Sequence, residues 1–160
     1  MVARNLIPLP FLLLIFLCLI FSPCLARSEL RAGQTLFAPQ YLETGRFTLV
    51  MQNDCNLVLY DGGAVWSSRT FGKGTNCRAA MQTDGNFVIY TGGRPVWASN
   101  TNFGFGNYVL VLQRDRNLVI YNGQSRAIWA TGTNIFGAGV TVAPLKNASS
   151  TPVGVPVKKP

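Results

Sequence analysis

The sequence predicts an all-β protein of three like units arranged around a pseudo-threefold axis. A nine-residue frame, QNDCNLVLY at 52–60, returns as QTDGNFVIY at 82–90 and as QRDRNLVIY at 113–121. Gln, Asp, Asn, Val and Tyr recur at alternate positions in every copy. Each frame is followed by a Trp-bearing run, AVWSS at 64–68, PVWAS at 95–99 and AIWAT at 127–131. The frames begin at Gln52, Gln82 and Gln113, a spacing of 30 and then 31 residues, which marks a repeated supersecondary unit. No stretch sustains a helical period.

The elements follow in chain order. Residues 1–26 are expected to be a secretory signal peptide: Arg4 supplies the basic start, 11–21 an apolar run, and Pro23–Ala26 a cleavage region. A membrane anchor is the alternative, but the apolar run is short for a span, and no other segment is apolar enough to cross a bilayer. Residues 30–45 supply an early strand that leads into the first repeat. RFTLVMQ (46–52) and NLVLY (56–60) are β-rich runs joined at Asp54-Cys55, where the second copy has the tight-turn dipeptide Asp84-Gly85. DGG (61–63) and TGG (91–93) turn the chain into the Trp strand. Each unit is thus a meander of three strands, with a fourth expected from a neighbour, and closing three such sheets into a prism protects their edges. The domain spans 27–142. Residues 143–160, rich in Pro, Ser and Val, read as a disordered or processed tail, a candidate propeptide, with an N-glycosylation sequon at Asn147.

One Trp per repeat, Trp66, Trp97 and Trp129, is expected to bring three rings into a shared core; a stacking platform for sugar rings is the competing role. Cys18 and Cys24 leave with the signal peptide, so Cys55 and Cys77 remain. In an oxidising compartment one pair reads as one disulfide, worth roughly 3 kcal/mol through chain entropy. Two cysteines and no histidine are too few soft ligands for a metal site. Without Arg4 the chain carries thirteen Lys and Arg against six acids. These charges are scattered, which argues against a nucleic-acid partner, whose footprint is a clustered basic face.

The frame itself carries the functional signal. Asn56, Val58 and Tyr60 alternate with Leu57 and Leu59, so the two sets face opposite ways. The same split sets Asn86, Val88 and Tyr90 against Phe87 and Ile89, and Asn117, Val119 and Tyr121 against Leu118 and Ile120. Gln52 and Asp54 fall near Asn56 across the hairpin. A carboxylate, two amides, a phenol and an apolar floor form a fan of donors and acceptors suited to a polyol. Catalysis fits poorly. A glycosidase needs two carboxylates and each frame has one; no histidine is present to act as a base; calcium would need more acids. The chain is therefore not expected to be an enzyme, and no cofactor or metal is implied. Asp and Asn alone are ordinary turn residues, but turn chemistry does not require Gln, Val and Tyr as well.

At these residues the chain resembles the monocot mannose-binding lectins, the bulb-type or snowdrop-lectin family, whose motif is Gln-x-Asp-x-Asn-x-Val-x-Tyr. Orchid-type lectins and related antifungal proteins are the nearest flavour. The resemblance covers about 28–142. It implies a β-prism II fold, three four-stranded antiparallel sheets with one mannose site on each, so that 27–142 would be a bulb-type lectin domain. It further implies that Asp54 and Asn56 bind the axial O2, Gln52 O3 and Tyr60 O4, with Val58 against the sugar carbons. Gln82, Asp84, Asn86, Val88 and Tyr90 would form the second site, and Gln113, Asp115, Asn117, Val119 and Tyr121 the third. The family's disulfide would map onto Cys55 and Cys77. The implied partners are mannose-containing glycans, bound at about millimolar strength per site and more tightly when several sites engage one branched glycan. The resemblance also points to a defence role against fungi or insects, and the signal peptide to a secretory destination, apoplast or vacuole. Either a monomer or a homodimer exchanging C-terminal strands (127–136 and 140–142) is compatible. The competing function is a storage or taste-active protein of the same fold without sugar binding.

Overall fold

In a computed structural model of the chain the described residues are 27–135. The leader at 1–26, the run at 140–142 and the tail with Asn147 lie outside them. Twelve strands form three four-stranded antiparallel sheets among these residues, as expected.

The segment at 30–45 does more than supply one early strand. It forms β1 (Glu29–Arg31), β2 (Thr35–Phe37) and β3 (Tyr41–Thr44), one for each sheet. The fourth strand of every unit comes from this N-terminal segment and not from a neighbouring repeat. Each short strand buries one leucine: Leu30, Leu36 and Leu42, six residues apart. An extended stretch of that length with a turn between strands steps from one sheet to the next, so a six-residue leucine period lets one segment fasten all three.

The repeats supply the rest: β4 (Phe47–Met51), β5 (Leu57–Asp61) and β6 (Gly63–Ser67); β7 (Cys77–Met81), β8 (Phe87–Thr91) and β9 (Arg94–Ala98); β10 (Val109–Leu112), β11 (Leu118–Tyr121) and β12 (Ala127–Ala130). β3 adds to β4, β2 to β7 and β1 to β10. β12 pairs with β11 of its own chain. The central strands bury Leu57 and Leu59, Phe87 and Ile89, Leu118 and Ile120 in the shared core, while the valines between them stay outside it, as the alternation requires. Each sheet carries an irregularity at the same point, between Leu59 and Tyr60, Ile89 and Tyr90, and Ile120 and Tyr121. Bulges re-aim side chains and tighten twist, and here all three fall at the frame tyrosine.

The three tryptophans meet. Trp66 and Trp97 stand 6.0 Å apart, Trp66 and Trp129 6.1 Å, Trp97 and Trp129 5.9 Å, each pair edge-to-face. Near-equal distances close a triangle around the pseudo-threefold axis, the geometry the ring quadrupoles favour. The rings pack on the core half-buried, so the core reading holds over the platform reading.

Candidate functional site

Each frame is a hairpin whose loop is one residue longer than a two-residue turn. Gln52 N–H donates to Asn56 O at 2.9 Å and Cys55 N–H to Gln52 O at 3.1 Å. The same pair of bonds recurs at Gln82–Asn86 and Gln113–Asn117. Three residues therefore lie between Gln and Asn, and the last sits in the left-handed region: Cys55 at φ 74°, Gly85 at 90° and Arg116 at 75°. A three-residue loop ending in that conformation is a common hairpin solution. Only Gly85 adopts it without steric cost, and the others are tethered. Cys55 is bonded to Cys77, with Cα atoms 5.2 Å apart. Arg116 donates from Nε to Thr133 O at 2.9 Å and from Nη1 to Asp61 Oδ2 at 3.0 Å. Gly85 has no alternative: a Cβ there would lie 2.7 Å from the Tyr108 ring and 2.8 Å from Thr101 O.

The loop sets the polar groups. Asp54 Oδ1 accepts the Asn56 backbone N–H at 2.8 Å, Asp84 that of Asn86 at 3.0 Å, and Asp115 that of Asn117 at 2.9 Å. One carboxylate oxygen thereby holds the turn and the other takes no part in it. Gln52 Nε2 donates to the Tyr60 hydroxyl at 2.7 Å, Gln82 to Tyr90 at 2.8 Å, and Gln113 to Tyr121 at 2.7 Å. Each phenol, having accepted, keeps its own proton to donate outward, and each Gln Oε1 remains an acceptor.

The asparagines are fixed by residues that sequence reasoning passed over. Asn56 Oδ1 accepts from Ser68 Oγ at 3.3 Å and from Thr70 N–H at 3.2 Å. Asn86 Oδ1 is held alike by Ser99 and Thr101, and Asn117 Oδ1 by Thr131, Gly132 and Thr133. A backbone N–H can only donate, so the oxygen must face the loop and Nδ2 must face away from it. Thr70 Oγ1 donates to Cys55 O at 2.6 Å, so the single Ser68 hydroxyl proton is shared between Thr70 Oγ1, 2.6 Å away, and Asn56 Oδ1. The signal was a third repeated pattern, Ser-x-Thr, Ser-x-Thr and Thr-x-Thr, following each Trp. Its middle residues, Arg69, Asn100 and Gly132, share positive φ but no chemistry, which hides the pattern.

Thr101→Val tests this clamp. It keeps the volume but strips the proton that Gly85 O receives at 2.7 Å. An orphaned buried carbonyl costs roughly 1–3 kcal/mol. Denaturant unfolding should show about 2 kcal/mol lost.

Each frame thus presents a carboxylate oxygen, an amide N–H pair, an amide oxygen and a phenol O–H from one sheet face, and the fifteen residues form three separate clusters. The apolar floor is smaller than expected, because Val58 and Val88 are each only 3% exposed. The third cluster is more enclosed than the others. Asn117 and Val119 are fully buried, and Gln113 Oε1 and Asn117 Nδ2 have no hydrogen-bond partner. Among the described residues no cluster of three or more His, Cys, Asp or Glu could hold a metal ion.

The fold, with its triply repeated cluster, is a β-prism of the lectin type. A mannose-specific lectin of Narcissus tazetta is 51% identical over 116 residues, 72% of this chain and 82% of that protein. A monomeric monocot mannose-binding lectin of Gastrodia elata superposes with a TM-score of 0.67 at 58% identity, covering 68% of this chain and 99% of that one. The snowdrop (Galanthus nivalis) mannose-specific agglutinin, solved with methyl α-D-mannoside, gives 0.59 at 49% identity, over 68% and 99%. No protein-family model matches the sequence. The chain belongs to the monocot mannose-binding lectins.

Proposed function

We propose that the protein is a mannose-binding lectin whose sites are the three Gln-x-Asp-x-Asn-x-Val-x-Tyr clusters. The observation that carries this is the threefold recurrence of one hydrogen-bond arrangement whose ligand-facing atoms alternate in donor and acceptor character. In each, the second Asp oxygen and Asn Nδ2 take no part in the loop's own hydrogen bonds, which leaves an acceptor and a donor for sugar hydroxyls. Gln Oε1 and the Tyr hydroxyl provide a second acceptor and donor further along the strand. A storage or taste-active role without sugar binding would leave no reason for three intact clusters. The shallow apolar floor fits weak single-site binding, and three faces of one prism fit engagement of a branched high-mannose glycan.

We further infer a secretory route and a defence role. The N-terminal segment and the Cys55–Cys77 disulfide support the first, since disulfides persist in oxidising compartments. Recognition of mannan-like surfaces supports the second.

Passage over mannan-agarose tests the function. The protein should be retained and then released by methyl α-mannoside but not by methyl α-glucoside. Flow-through of the folded protein would overturn the lectin reading.

A further inference from the structure

The three clusters share their polar core but not their rims, and the second rim is cationic. Opposite the frame tyrosine, the neighbouring strand places Thr48 at the first site, Arg78 at the second and Val109 at the third. The Arg78 guanidinium lies 5.0 Å from the centre of the Tyr90 ring. The residue after the tyrosine is Asp61 at the first site but Thr91 at the second, and Arg94 pairs with Thr91 across β8 and β9. At the first site Asp61 is matched by Arg46 and Arg116. At the second, Lys73, Arg78 and Arg94 form no salt bridge among the described residues.

Lys73 is brought there by construction. It belongs to the loop after β6 in the first repeat, and that loop is docked on the second sheet. Thr91 Oγ1 donates to Thr75 O at 3.1 Å and Arg94 Nη2 to Lys73 O at 3.3 Å. Gly74 lies so close to Thr91 that a Cβ would overlap its side chain. The outcome is one cleft of about 620 Å³, lined by Gln82, Asn86, Val88 and Tyr90 and continuing to Lys73 and Arg94. Clefts of roughly 300–1,000 Å³ are typical of small-ligand sites. The frame acid Asp84 sits in the turn, at the opposite end of β8 from Tyr90.

We propose, building on the mannose-binding reading, that the second site takes mannose bearing a phosphate, with the sugar on the Gln82–Tyr90 frame and the phosphate against Lys73 and Arg94. A guanidinium fork and a mobile ammonium are the pair of groups suited to a phosphate's several oxygens. The phosphorylated mannose of a mannan is the class of ligand this combination selects. The first site does not offer it, because Gly63 stands where the second has Arg94 and the arginines beside Asp61 are engaged by its carboxylate.

Side-chain amide resonances read the sites one by one: Gln52 and Asn56 for the first, Gln82 and Asn86 for the second. Titrations of the full chain with methyl α-mannoside, mannose 6-phosphate, mannose 1-phosphate and inorganic phosphate separate the contributions. One of the two sugar phosphates should bind the second site roughly fivefold more tightly than methyl α-mannoside, as two partly screened charge pairs would give. The first site should show no gain. The advantage should vanish in Lys73→Ala/Arg94→Ala and shrink in 0.5 M NaCl, with methyl α-mannoside binding unchanged by either. Equal or weaker binding of both sugar phosphates at the second site, with methyl α-mannoside bound normally, overturns the phosphate proposal alone. So does an advantage that survives the double substitution, or inorganic phosphate shifting Gln82 and Asn86 as strongly. If no sugar binds at all, both this and the lectin reading fall.

Discussion

Replacing Trp97 by Ala should cost about 3–4 kcal/mol and lower the melting temperature by on the order of 15 °C. Trp97 makes edge-to-face contacts with Trp66, Trp129 and also Phe87, at 6.0, 5.9 and 6.1 Å. Removing a large ring from a core typically costs roughly 3–5 kcal/mol, and aromatic pairs add about 0.5–1.5 kcal/mol each beyond area. Because the ring is only half-buried, the lower part of that range applies. For a domain of this size each kcal/mol shifts melting by roughly 4–8 °C. Trp97→Phe should recover more than half of the loss. Calorimetry decides the outcome: a variant that melts within a few degrees of wild type yet loses sugar would return the tryptophans to a ligand-stacking role.

The second large effect is expected at the disulfide. Cys55→Ala with Cys77→Ala, or reduction of the wild type, should remove about 3 kcal/mol, from a loop closed over a sequence separation of 22. A second consequence is local. Cys55 occupies a left-handed conformation with its side chain tethered to Cys77, and its carbonyl anchors Thr70, which orients Asn56. The first site should therefore lose affinity more than the second, where Gly85 holds the same conformation unaided. Melting with and without reductant checks the stability. Equal weakening of both sites would contradict the local part.

The sequence showed most of what repeats and little of what does not. Three frames and three Trp runs located nine strands, because the alternating frame and the Trp run that follows it are written out in full three times. The strands β1, β2 and β3 read in the sequence as one, since strands of three or four residues with Gly and Pro between them carry no readable period of their own. Leu30, Leu36 and Leu42 were visible, but a six-residue leucine spacing acquires meaning only once three sheets exist to receive it. The five frame residues were legible because their identity repeats. Their hydroxyl clamps were not, because Ser68, Thr70 and their counterparts look like ordinary turn residues and are separated by Arg69, Asn100 and Gly132. Rim charge was also hidden: Lys73 precedes Arg94 by a whole strand pair, and only the docking of one repeat's loop on the next sheet unites them.

The most direct test of the three-site account is isothermal titration of methyl α-mannoside into wild type and into the combined Asp54→Asn, Asp84→Asn and Asp115→Asn variant. Asn retains the oxygen that accepts the turn N–H, so the hairpins should persist and circular dichroism should match wild type. The second oxygen becomes an N–H donor, which turns the ligand-facing acceptor into its opposite. Wild type should bind at millimolar strength, on the order of 4 kcal/mol per site, and the folded triple variant should give no measurable heat. Undiminished binding by that variant would contradict the assignment of these clusters as the sugar sites.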